Sequence, residues 1–252
     1  MKKAIILGAA ALSAVLLAGC GTEGVKPGET QKEKMFRIGS DLNFPPFEFE
    51  ENGKAQGFDI ELAEAVAKEM GAKLEIKNVT FGDLIPAVKE NKIDAILSGF
   101  EGSPDRGELL TFSDPYMDAG YSILTARDDN LIKDWDDLRG KVIGTQTGTR
   151  HTELSIDFGA QRVQAFEEKE NVVKALDEKK VDAIVVDTPV ALYYARHDDK
   201  VKLVGDPKTS STGLVFAVKK GNTDLQKKIN EALKAVKASG EYDRIYARWF
   251  EK

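Results

Sequence analysis

Apolar residues follow two periods along this chain, one typical of strands and one typical of helices. Segments 35–40 and 74–79 alternate between apolar and polar residues and predict strands, whereas 60–71 carries apolar residues at helical spacing and ends in a glycine. The same succession recurs to the end of the chain, where helices are predicted over 222–238 and 242–250. The alternation of strands and helices predicts an α/β protein.

One short pattern occurs twice. Residues 92–97 read Lys-Ile-Asp-Ala-Ile-Leu, and residues 180–185 read Lys-Val-Asp-Ala-Ile-Val. Each segment follows a predicted helix, contains a predicted strand and ends in a polar loop. The repeated pattern is short, and it favours two similar α/β units that face one another.

The N-terminus has the order of charge and hydrophobicity found in export signals. Met1 is followed by two lysines, residues 4–18 form an apolar segment that is too short for a membrane span, and Leu17-Ala18-Gly19-Cys20 resembles a bacterial lipobox. This order predicts a lipoprotein signal peptide over 1–19, a lipidated Cys20 and a flexible tether over 20–34. The alternative is an ordinary signal peptide with an incidental cysteine.

Composition argues against several kinds of site. The chain has 252 residues and a formal net charge of −6, which argues against nucleic acid as a partner because phosphate binding needs a basic face. Cys20 is the only cysteine, so an internal disulfide or a cysteine-based metal cage is excluded. The two histidines, His151 and His197, give little basis for a zinc site, and we expect both at the surface. No cofactor is predicted.

A polar loop follows the predicted strand over 93–97. It contains Ser98, Gly99 and Gly102, and it closes with Arg106. Ligands of α/β proteins bind at the carboxyl ends of strands, and a guanidinium beside unhindered amides and hydroxyls suits a carboxylate. These residues are therefore candidates for a ligand site. The alternative is an ordinary polar turn in which Arg106 is solvated or pairs with a neighbouring carboxylate.

A second loop, Thr145-Gln146-Thr147-Gly148-Thr149-Arg150, follows another predicted strand and leads into a helix predicted over 151–158. Free N–H groups and partial positive charge at a helix N-terminus favour an anion there. The loop is neither a P-loop nor a dinucleotide fingerprint, because both glycine motifs are missing.

Together the loops at strand ends offer both signs of charge and aromatic faces. A zwitterion needs opposite charges a few ångströms apart with apolar walls around its stem, and an α-amino acid meets that description. The alternative is a set of independent caps and turns. The candidate groups are Asp41, Glu101 and Asp187 for negative charge, Arg106 and the amides of 147–150 for positive charge, and Phe44 and Phe81 for aromatic contact.

Five motifs carry a family resemblance as a set. They are 39–49 (Gly-Ser-Asp through Pro-Phe-Glu-Phe), Gly57-Phe58-Asp59, 84–88 (Leu-Ile-Pro-Ala-Val), 112–116 (Phe-Ser-Asp-Pro-Tyr) and 246–250 (Tyr-Ala-Arg-Trp-Phe). In this combination the chain after its tether resembles the polar amino-acid-binding receptors of ABC importers, in the group of glutamine-, arginine- and lysine/histidine-binding proteins.

The resemblance implies an α/β type II periplasmic-binding-protein fold with two lobes joined by two hinge strands. Lobe 1 would comprise 35–124 and 213–252, and lobe 2 would comprise 125–212. The chain would cross between lobes near 124–126 and return near 212–213. Ligand would bind between the lobes, and hinge closure would expel water and present the closed form to the transporter.

The resemblance also implies roles for particular residues. Asp187 resembles the partner of the ligand α-ammonium, Arg106 resembles the fork for its α-carboxylate, and Asp59 is equally a candidate for the N-cap of the helix that follows it. The other implied roles are an aromatic clamp for Phe44 and Phe81, the side-chain subsite for Asp41, Asp59 and Gln146, and the two carboxylate-binding loops for Gly99 and Thr149.

Two positions depart from the family pattern. Glu101 stands where Ser or Thr usually helps to bind the α-carboxylate, and Arg150 stands where the facing lobe usually has Gly or Thr. Glu101 would repel a carboxylate unless it is neutralised. One hypothesis is a Glu101–Arg150 pair that latches the cleft. The other is a cationic ligand that is not an α-amino acid, met by Glu101, Asp41 and Asp59.

The sequence therefore predicts an extracytoplasmic, lipid-anchored and monomeric receptor that delivers a polar amino acid to an ABC permease. Gln146 with Asp41 and Asp59 favours a ligand with a basic or amide side chain. No catalytic role is expected. Two alternatives remain, a dehydratase-like enzyme on the same scaffold with Glu101 as general acid, and the sensory ectodomain of a receptor.

Overall fold

The computed structural model of the chain describes residues 34–210 and 212–251, without the side chains at 169 and 170. The predicted signal peptide, Cys20 and nearly all of the predicted tether lie outside the described residues. In the part that is described, no helix has the length and apolar character that a membrane crossing requires.

Strands and helices alternate through most of the described chain, as the sequence pattern predicts. In chain order they are β1 (Met35–Ser40), β2 (Asn43–Phe44), β3 (Glu48–Glu51), β4 (Lys54–Gln56), α1 (Phe58–Glu69), β5 (Lys73–Asn78), α2 (Leu84–Lys89), β6 (Ala95–Ile96), α3 (Pro104–Leu109), β7 (Leu110–Phe112), β8 (Tyr121–Ala126), β9 (Val142–Gln146), α4 (His151–Asp157), β10 (Arg162–Phe166), α5 (Lys169–Asp177), β11 (Ala183–Asp187), α6 (Thr188–His197), β12 (Val201–Lys208), β13 (Ala217–Lys219), α7 (Thr223–Ala238) and α8 (Glu241–Phe250). Short 3-10 helices cover Phe81–Asp83 and Trp135–Leu138.

The first large sheet has the strand order β5-β1-β6-β13-β7. β1 pairs in parallel with β5 and β6, whereas β13, from near the end of the chain, pairs antiparallel with β6 and β7. α1 packs against α7 and α8. Its residues Phe58, Leu62 and Val66 are fully buried at four-residue spacing, which is the apolar stripe that the sequence predicts.

The second large sheet has the order β10-β9-β11-β8-β12. β9 pairs in parallel with β10 and β11, and β8 pairs antiparallel with β11 and β12. Each large sheet thus combines a parallel part, built from strand–helix units, with antiparallel strands. The carboxyl ends of β1 and β6 in one sheet, and of β9 and β11 in the other, carry the loops that the sequence singled out.

A small third sheet joins β2, β3 and β4. β3 and β4 form an antiparallel hairpin. Its turn residues Asn52 and Gly53 both have positive φ, 53° and 73°, as a tight Asn-Gly hairpin turn requires.

The chain passes twice between the large sheets, after β7 and after β12. The lobe boundary predicted between residues 124 and 125 falls inside β8, all of which pairs with β11 and β12 in the second sheet. The sequence of β8 is typical of a strand but does not say which sheet the strand joins. A boundary ahead of Tyr121 describes the sheets better, and the finer division into lobes stays a prediction.

Three segments have structure that depends on the tertiary fold or on local capping. Residues Leu110–Phe112 form β7, because β13 supplies a pairing partner that is distant in sequence. The polar loop after β6 contains α3, which starts where Ser103 caps the helix and Pro104 takes its first position. Near the return crossing, β13 is confined to Ala217–Lys219.

Candidate functional site

Asp41 lies directly after β1 and is held at the carboxyl edge of the first sheet. Its Oδ2 accepts a hydrogen bond from the Phe81 N–H at 3.2 Å, and its own N–H donates to Ser98 Oγ at 3.0 Å. The side chain is buried. The backbone and side chain of Asp41 thereby join the ends of β1 and β6 to the start of the 3-10 helix at Phe81.

Ser98 and Asp59 support the loop after β6 from the interior. Ser98 is fully buried, and its hydroxyl donates to Glu48 Oε1 at 2.9 Å. Asp59 is also fully buried, and its Oδ2 accepts from the Gly99 N–H at 2.7 Å and the Tyr116 hydroxyl at 3.0 Å. Burial, and then the charge of Asp59, raises the pKa of Tyr116. Both candidate residues hold the loop in place.

Asp59 is not the N-cap of α1. That position belongs to Gly57, and no side chain caps the helix. Gly57 has φ of 127°, and a Cβ there would lie 2.1 Å from the Phe47 carbonyl oxygen. Gly99 also has positive φ, 51°, and a Cβ there would lie 2.7 Å from Cε1 of Phe44. Glycine is required at both positions because backbone and ring approach so closely.

Arg106 lies in α3, where Ser103 Oγ accepts its backbone N–H at 3.3 Å. Its Nη1 donates to the Glu101 carbonyl at 2.6 Å, and its Nη2 donates to the Gly148 carbonyl, in the loop after β9, at 2.7 Å. The guanidinium carbon lies 4.2 Å from the ring centroid of Phe100. Burial lowers the pKa of Arg106, and the negative charge of Glu101 opposes that shift.

The two aromatic candidates have different surroundings. The Phe81 ring lies 5.8 Å from that of Phe100, and the guanidinium carbon of Arg106 lies 5.6 Å from the Phe81 centroid. The Phe44 ring stacks on Phe47 at 5.5 Å and is 1% exposed within an apolar cluster. Phe81 thus neighbours the cationic end of the site, and the aromatic clamp stays a prediction.

Gln146, the last residue of β9, reaches the first sheet. Its Nε2 lies 3.5 Å from Asp41 Oδ2 and donates to the Glu167 carbonyl at 3.1 Å. Its Oε1 is buried and has no hydrogen-bond partner among the described residues. Thr149 Oγ1 donates to the Gln146 carbonyl at 2.7 Å and so tightens the loop.

Glu101 binds hydroxyl groups at both crossings between the large sheets. Its Oε1 accepts from the hydroxyls of Tyr121, Ser210 and Thr212, the last at 3.2 Å. Burial, and then the bond to Glu101, raises the pKa of Tyr121. Arg150 is exposed, and these two described residues form no ion pair, so the hypothesised Glu101–Arg150 latch is not formed. The hydroxyl groups of these three residues, and not the Arg150 guanidinium, lie within hydrogen-bond distance of the Glu101 carboxylate.

His151 is buried, contrary to the expectation of a surface position, and only His197 is exposed. His151 is 4% exposed, and its Nε2 lies 3.3 Å from Oδ1 of Asp187, itself 6% exposed. Its ring meets that of Tyr121 edge-on at 5.6 Å. Ser155, one turn later on α4, is also buried. That four-residue spacing was the available signal for an inward face.

Charges from both large sheets influence one another here. The negative charge of Asp187, at the end of β11, is among those that raise the pKa of Arg106 against the effect of burial, and Arg150 lowers it. In the described part of the chain, no group of three or more His, Cys, Asp or Glu side chains lies close enough to hold a metal ion. The candidate site thus combines charges of both signs.

Comparison with known proteins decides the family. The sequence model of the bacterial extracellular solute-binding proteins, family 3, matches residues 36–252. The chain belongs to this family. The putative ABC transporter arginine-binding protein 2 of Escherichia coli (strain K12) is 33% identical to it, over 87% of this chain and 92% of the relative.

Other similar proteins cover the chain as fully. The arginine-binding extracellular protein ArtP of Bacillus subtilis (strain 168) is 31% identical over 99% of this chain and 98% of its own length. The structure of an ancestral arginine-binding protein bound to glutamine has a TM-score of 0.82 and 38% identity, over 87% of this chain and 99% of that chain.

These similarities confirm the predicted family, the type II α/β fold and the role of substrate-binding component of an ABC transporter. The roles of individual site residues in this solute-binding protein stay predictions. The structure brings Asp41 together with Gln146, Arg106 with Phe81, and Asp187 with His151. The remaining candidates have other surroundings. Ser98, Gly99 and Asp59 take part in the hydrogen bonds that support one loop, and Phe44 packs in the core. Glu101 bonds to residues at the crossings, Thr149 bonds within its own loop, and Arg150 is exposed.

Proposed function

We propose that the cleft between the large sheets binds a polar α-amino acid with a basic or amide side chain. The observation that supports this most strongly is the pair of contacts between loops of the two large sheets, from Arg106 to Gly148 and from Gln146 to Asp41. A guanidinium fork suits an α-carboxylate and a carboxylate suits an α-ammonium. A small zwitterion placed between Arg106 and Asp187 uses both.

The side-chain subsite is assigned to Asp41 and Gln146, which lie 3.5 Å apart across the cleft. A carboxylate beside a primary amide suits a guanidinium, an ammonium or an amide group on the ligand. The buried Gln146 Oε1 adds an acceptor for a ligand N–H. The relatives support this assignment, because they are named as arginine-binding proteins and the ancestral structure holds glutamine.

Ligand uptake would proceed by closure of the two lobes. Two contacts already join the lobes at the cleft, from Arg106 to Gly148 and from Gln146 to Asp41. A ligand that touches both sides adds interactions available only in the closed arrangement, so it shifts the population toward that arrangement. Closure then gives the permease a surface that distinguishes loaded from empty receptor.

A thermal-shift screen tests the proposal directly, because a ligand selective for the native state raises the melting temperature. The set comprises arginine, lysine, histidine, glutamine, an acidic amino acid, polyamines and betaine, followed by calorimetric titration of each hit. We expect stabilisation by basic or amide amino acids. Stabilisation by polyamines alone would favour a cationic ligand that is not an amino acid, and would overturn the proposal.

We also propose that the receptor is lipid-anchored through Cys20 on the outer face of the cell membrane and works as a monomer with an ABC permease. The lipobox-like Leu17-Ala18-Gly19-Cys20 supports the anchor. Expression of the full chain in a bacterium with labelled fatty acid should label the protein, and Cys20→Ser should abolish the label and release the protein from membranes. Equal labelling of both proteins would refute the anchor.

A non-catalytic role is proposed as well. Glu101, the candidate general acid of the enzyme alternative, has one oxygen engaged by three hydroxyl groups from the crossings. A carboxylate used in this way supports structure, and proton donation to a substrate would require it to break those contacts. Stoichiometric recovery of unchanged ligand after long incubation is the expected result, and a new product would contradict it.

A further inference from the structure

We propose that the contact between Arg196 and the Phe250 carbonyl is a closure contact outside the ligand cleft, and that it helps to set how tightly the receptor holds its ligand. The inference rests on the closure step of the proposed function. It does not depend on which ligand is bound. Neither residue belongs to the candidate site, so both would act on affinity through the arrangement of the lobes.

The two helices that meet at this contact pack on different large sheets. α6 contacts β8, β11 and β12 of the second sheet, whereas α8 contacts α1, which packs against β5 of the first sheet. The end of α8 is firmly held on α1. The Phe250 ring lies 5.1 Å from that of Phe58, and Trp249 Nε1 donates to Glu61 Oε1 at 3.2 Å. A contact between α6 and α8 therefore joins the two sides of the protein.

Arg196, in the last turn of α6, makes this contact. Its Nη1 donates to the Phe250 carbonyl at 2.9 Å. Phe250 is the last residue of α8, and the last carbonyls of a helix have no partner within it. A cation is also favoured there by the partial negative charge at a helix C-terminus. The guanidinium thus uses an acceptor that the helix itself leaves open.

A cavity of about 160 Å³ lies beside this contact, between α6, α8 and the crossing after β7. Leu192 of α6 and Tyr246 of α8 line it, and they are 40% and 36% exposed. Ala119 lines it from the crossing. Apolar packing between the two helices is therefore incomplete, and the Arg196 bond carries much of their interaction.

The position of Arg196 makes the contact sensitive to hinge motion. The start of α6 is tied to the crossing, because the Thr188 N–H donates to the Gly120 carbonyl at 3.2 Å. Arg196 follows eight residues later, about 12 Å further along the helix axis. A rotation of about 15° around the crossing would move its backbone by about 3 Å, which is more than a hydrogen bond tolerates.

The direction of the effect on affinity follows from population shift. The contact is present in the arrangement in which Arg106 bonds to Gly148 and Gln146 approaches Asp41. An interaction made in the binding-competent arrangement and lost in others raises the population of that arrangement before ligand arrives. The apparent affinity rises in proportion, by the same factor for every ligand. Loss of the contact should therefore weaken all ligands equally.

The first experiment is calorimetric titration and stopped-flow kinetics with L-arginine and L-glutamine. Arg196→Met keeps the apolar stem and removes the donor, so we expect both dissociation constants to rise by one factor, roughly threefold to tenfold, mainly through faster dissociation. Arg196→Lys keeps a donor and should lose less. Arg244→Met is the matched control and should bind normally, because the exposed Arg244 pairs with Glu241 on its own helix.

The second experiment needs no ligand. Spin labels are attached at Lys68→Cys on α1 and Asp157→Cys on α4, two exposed positions on different sides of the cleft, in a Cys20→Ser background. Pulsed electron resonance then gives the distribution of distances between the labels. We expect Arg196→Met to broaden or displace this distribution, and Arg244→Met to leave it unchanged.

The outcomes separate this inference from the proposed function. Unchanged affinity in Arg196→Met, or a loss for one amino acid alone, overturns the inference and leaves amino-acid binding intact. An unchanged distance distribution also overturns it. Absence of binding by any amino acid overturns the proposed function, whereas the spin-label comparison still decides on the contact. If Arg196→Met fails to fold, Arg196→Lys decides, and full affinity in that variant overturns the inference.

Discussion

The guanidinium of Arg106 donates to the main-chain oxygen of Gly148 at 2.7 Å and so connects the segment after β6 with the loop after β9. The other terminal nitrogen of Arg106 donates to the Glu101 carbonyl. One side chain thus orders its own loop and touches the facing one. Lysine cannot reproduce this pattern, because an ammonium lacks the planar fork.

Arg106→Lys should therefore weaken amino-acid binding by about 1.5–3 kcal/mol, the range for hydrogen bonds to charged groups. Calorimetric titration with L-arginine and L-glutamine measures the change. Arg162→Lys, at an exposed position on β10, is the matched control and should leave affinity unchanged. Unaltered affinity in Arg106→Lys would remove Arg106 from the ligand site.

Asp41→Asn should change selectivity more than overall affinity. If Asp41 faces a ligand cation, loss of its charge weakens arginine binding by roughly tenfold or more, whereas glutamine, which has no side-chain charge, loses less. Competition between the two amino acids in one titration gives the ratio. Asp136→Asn, exposed in the 3-10 helix Trp135–Leu138, serves as the control. Parallel losses for both ligands would contradict the assigned subsite.

Glu101 provides a test of which contacts stabilise the crossings. Its bond to the Tyr121 hydroxyl predicts that Glu101→Ser and Tyr121→Phe couple by at least about 0.5 kcal/mol in the free energy of unfolding. Glu101→Ser and Arg150→Thr should add within about 0.5 kcal/mol, because the structure has no ion pair between those residues. Chemical denaturation of the single and double variants decides. Coupling with Arg150 and none with Tyr121 would reverse our assignment.

Gly99→Ala should destabilise the protein and reduce affinity together. Its φ of 51° disfavours a side chain, and the added Cβ would lie 2.7 Å from the Phe44 ring. Gly71→Ala is a matched control, since φ there is 60° but nothing lies within 4 Å of the new Cβ. We expect Gly71→Ala to cost about 1 kcal/mol of unfolding free energy from backbone strain alone. Gly99→Ala should cost more, and an equal cost would mean that Phe44 yields easily.

Stability should fall at alkaline pH because of one buried and one half-buried tyrosine. Burial is the main cause that raises the pKa of Tyr116 and of Tyr242, whose hydroxyl donates to the Tyr116 carbonyl. Below about pH 10, folded and unfolded chains both keep these protons, so the stabilisation is complete. Above it, the unfolded chain ionises first, and each such tyrosine lowers the unfolding free energy by up to about 1.4 kcal/mol per pH unit.

Denaturation curves from pH 9 to 11 measure this slope. Tyr242→Phe should make the slope shallower, because the variant has one fewer group that ionises only after unfolding. Tyr246→Phe, on the same helix and less buried, is the control. A slope unaffected by Tyr242→Phe would assign the alkaline loss to other groups.

The periodicity of apolar residues predicts the longer strands and helices of the fold. β1 has the predicted bounds, and the predicted helices over 151–158 and 222–238 correspond to α4 and α7. These elements are long or regular enough for local pattern to decide. β7 is short and pairs only with β13, which is distant in sequence, so no local pattern predicts it.

The candidate site shows a different limit. Sequence places Ser98, Asp59 and Glu101 near strand ends, but it does not show which way each side chain is engaged. Ser98 and Asp59 bond to Glu48 and Gly99, next to the first large sheet, and Glu101 bonds to hydroxyls more than 100 residues away at the return crossing. His151 was misassigned to the surface, because its burial depends on the packing of α4 against Tyr121.

The interior network around Gly99 has a practical consequence for redesign of this receptor as a biosensor. Asp59 and Ser98 are fully buried and support the loop at Gly99. Most variants in a library that changes these two residues would therefore fail to fold, and few could be tested for new ligands. Thr149 and Arg150 are half-buried or exposed on the opposite loop. Randomising those two positions should yield altered selectivity at a low rate of misfolded clones.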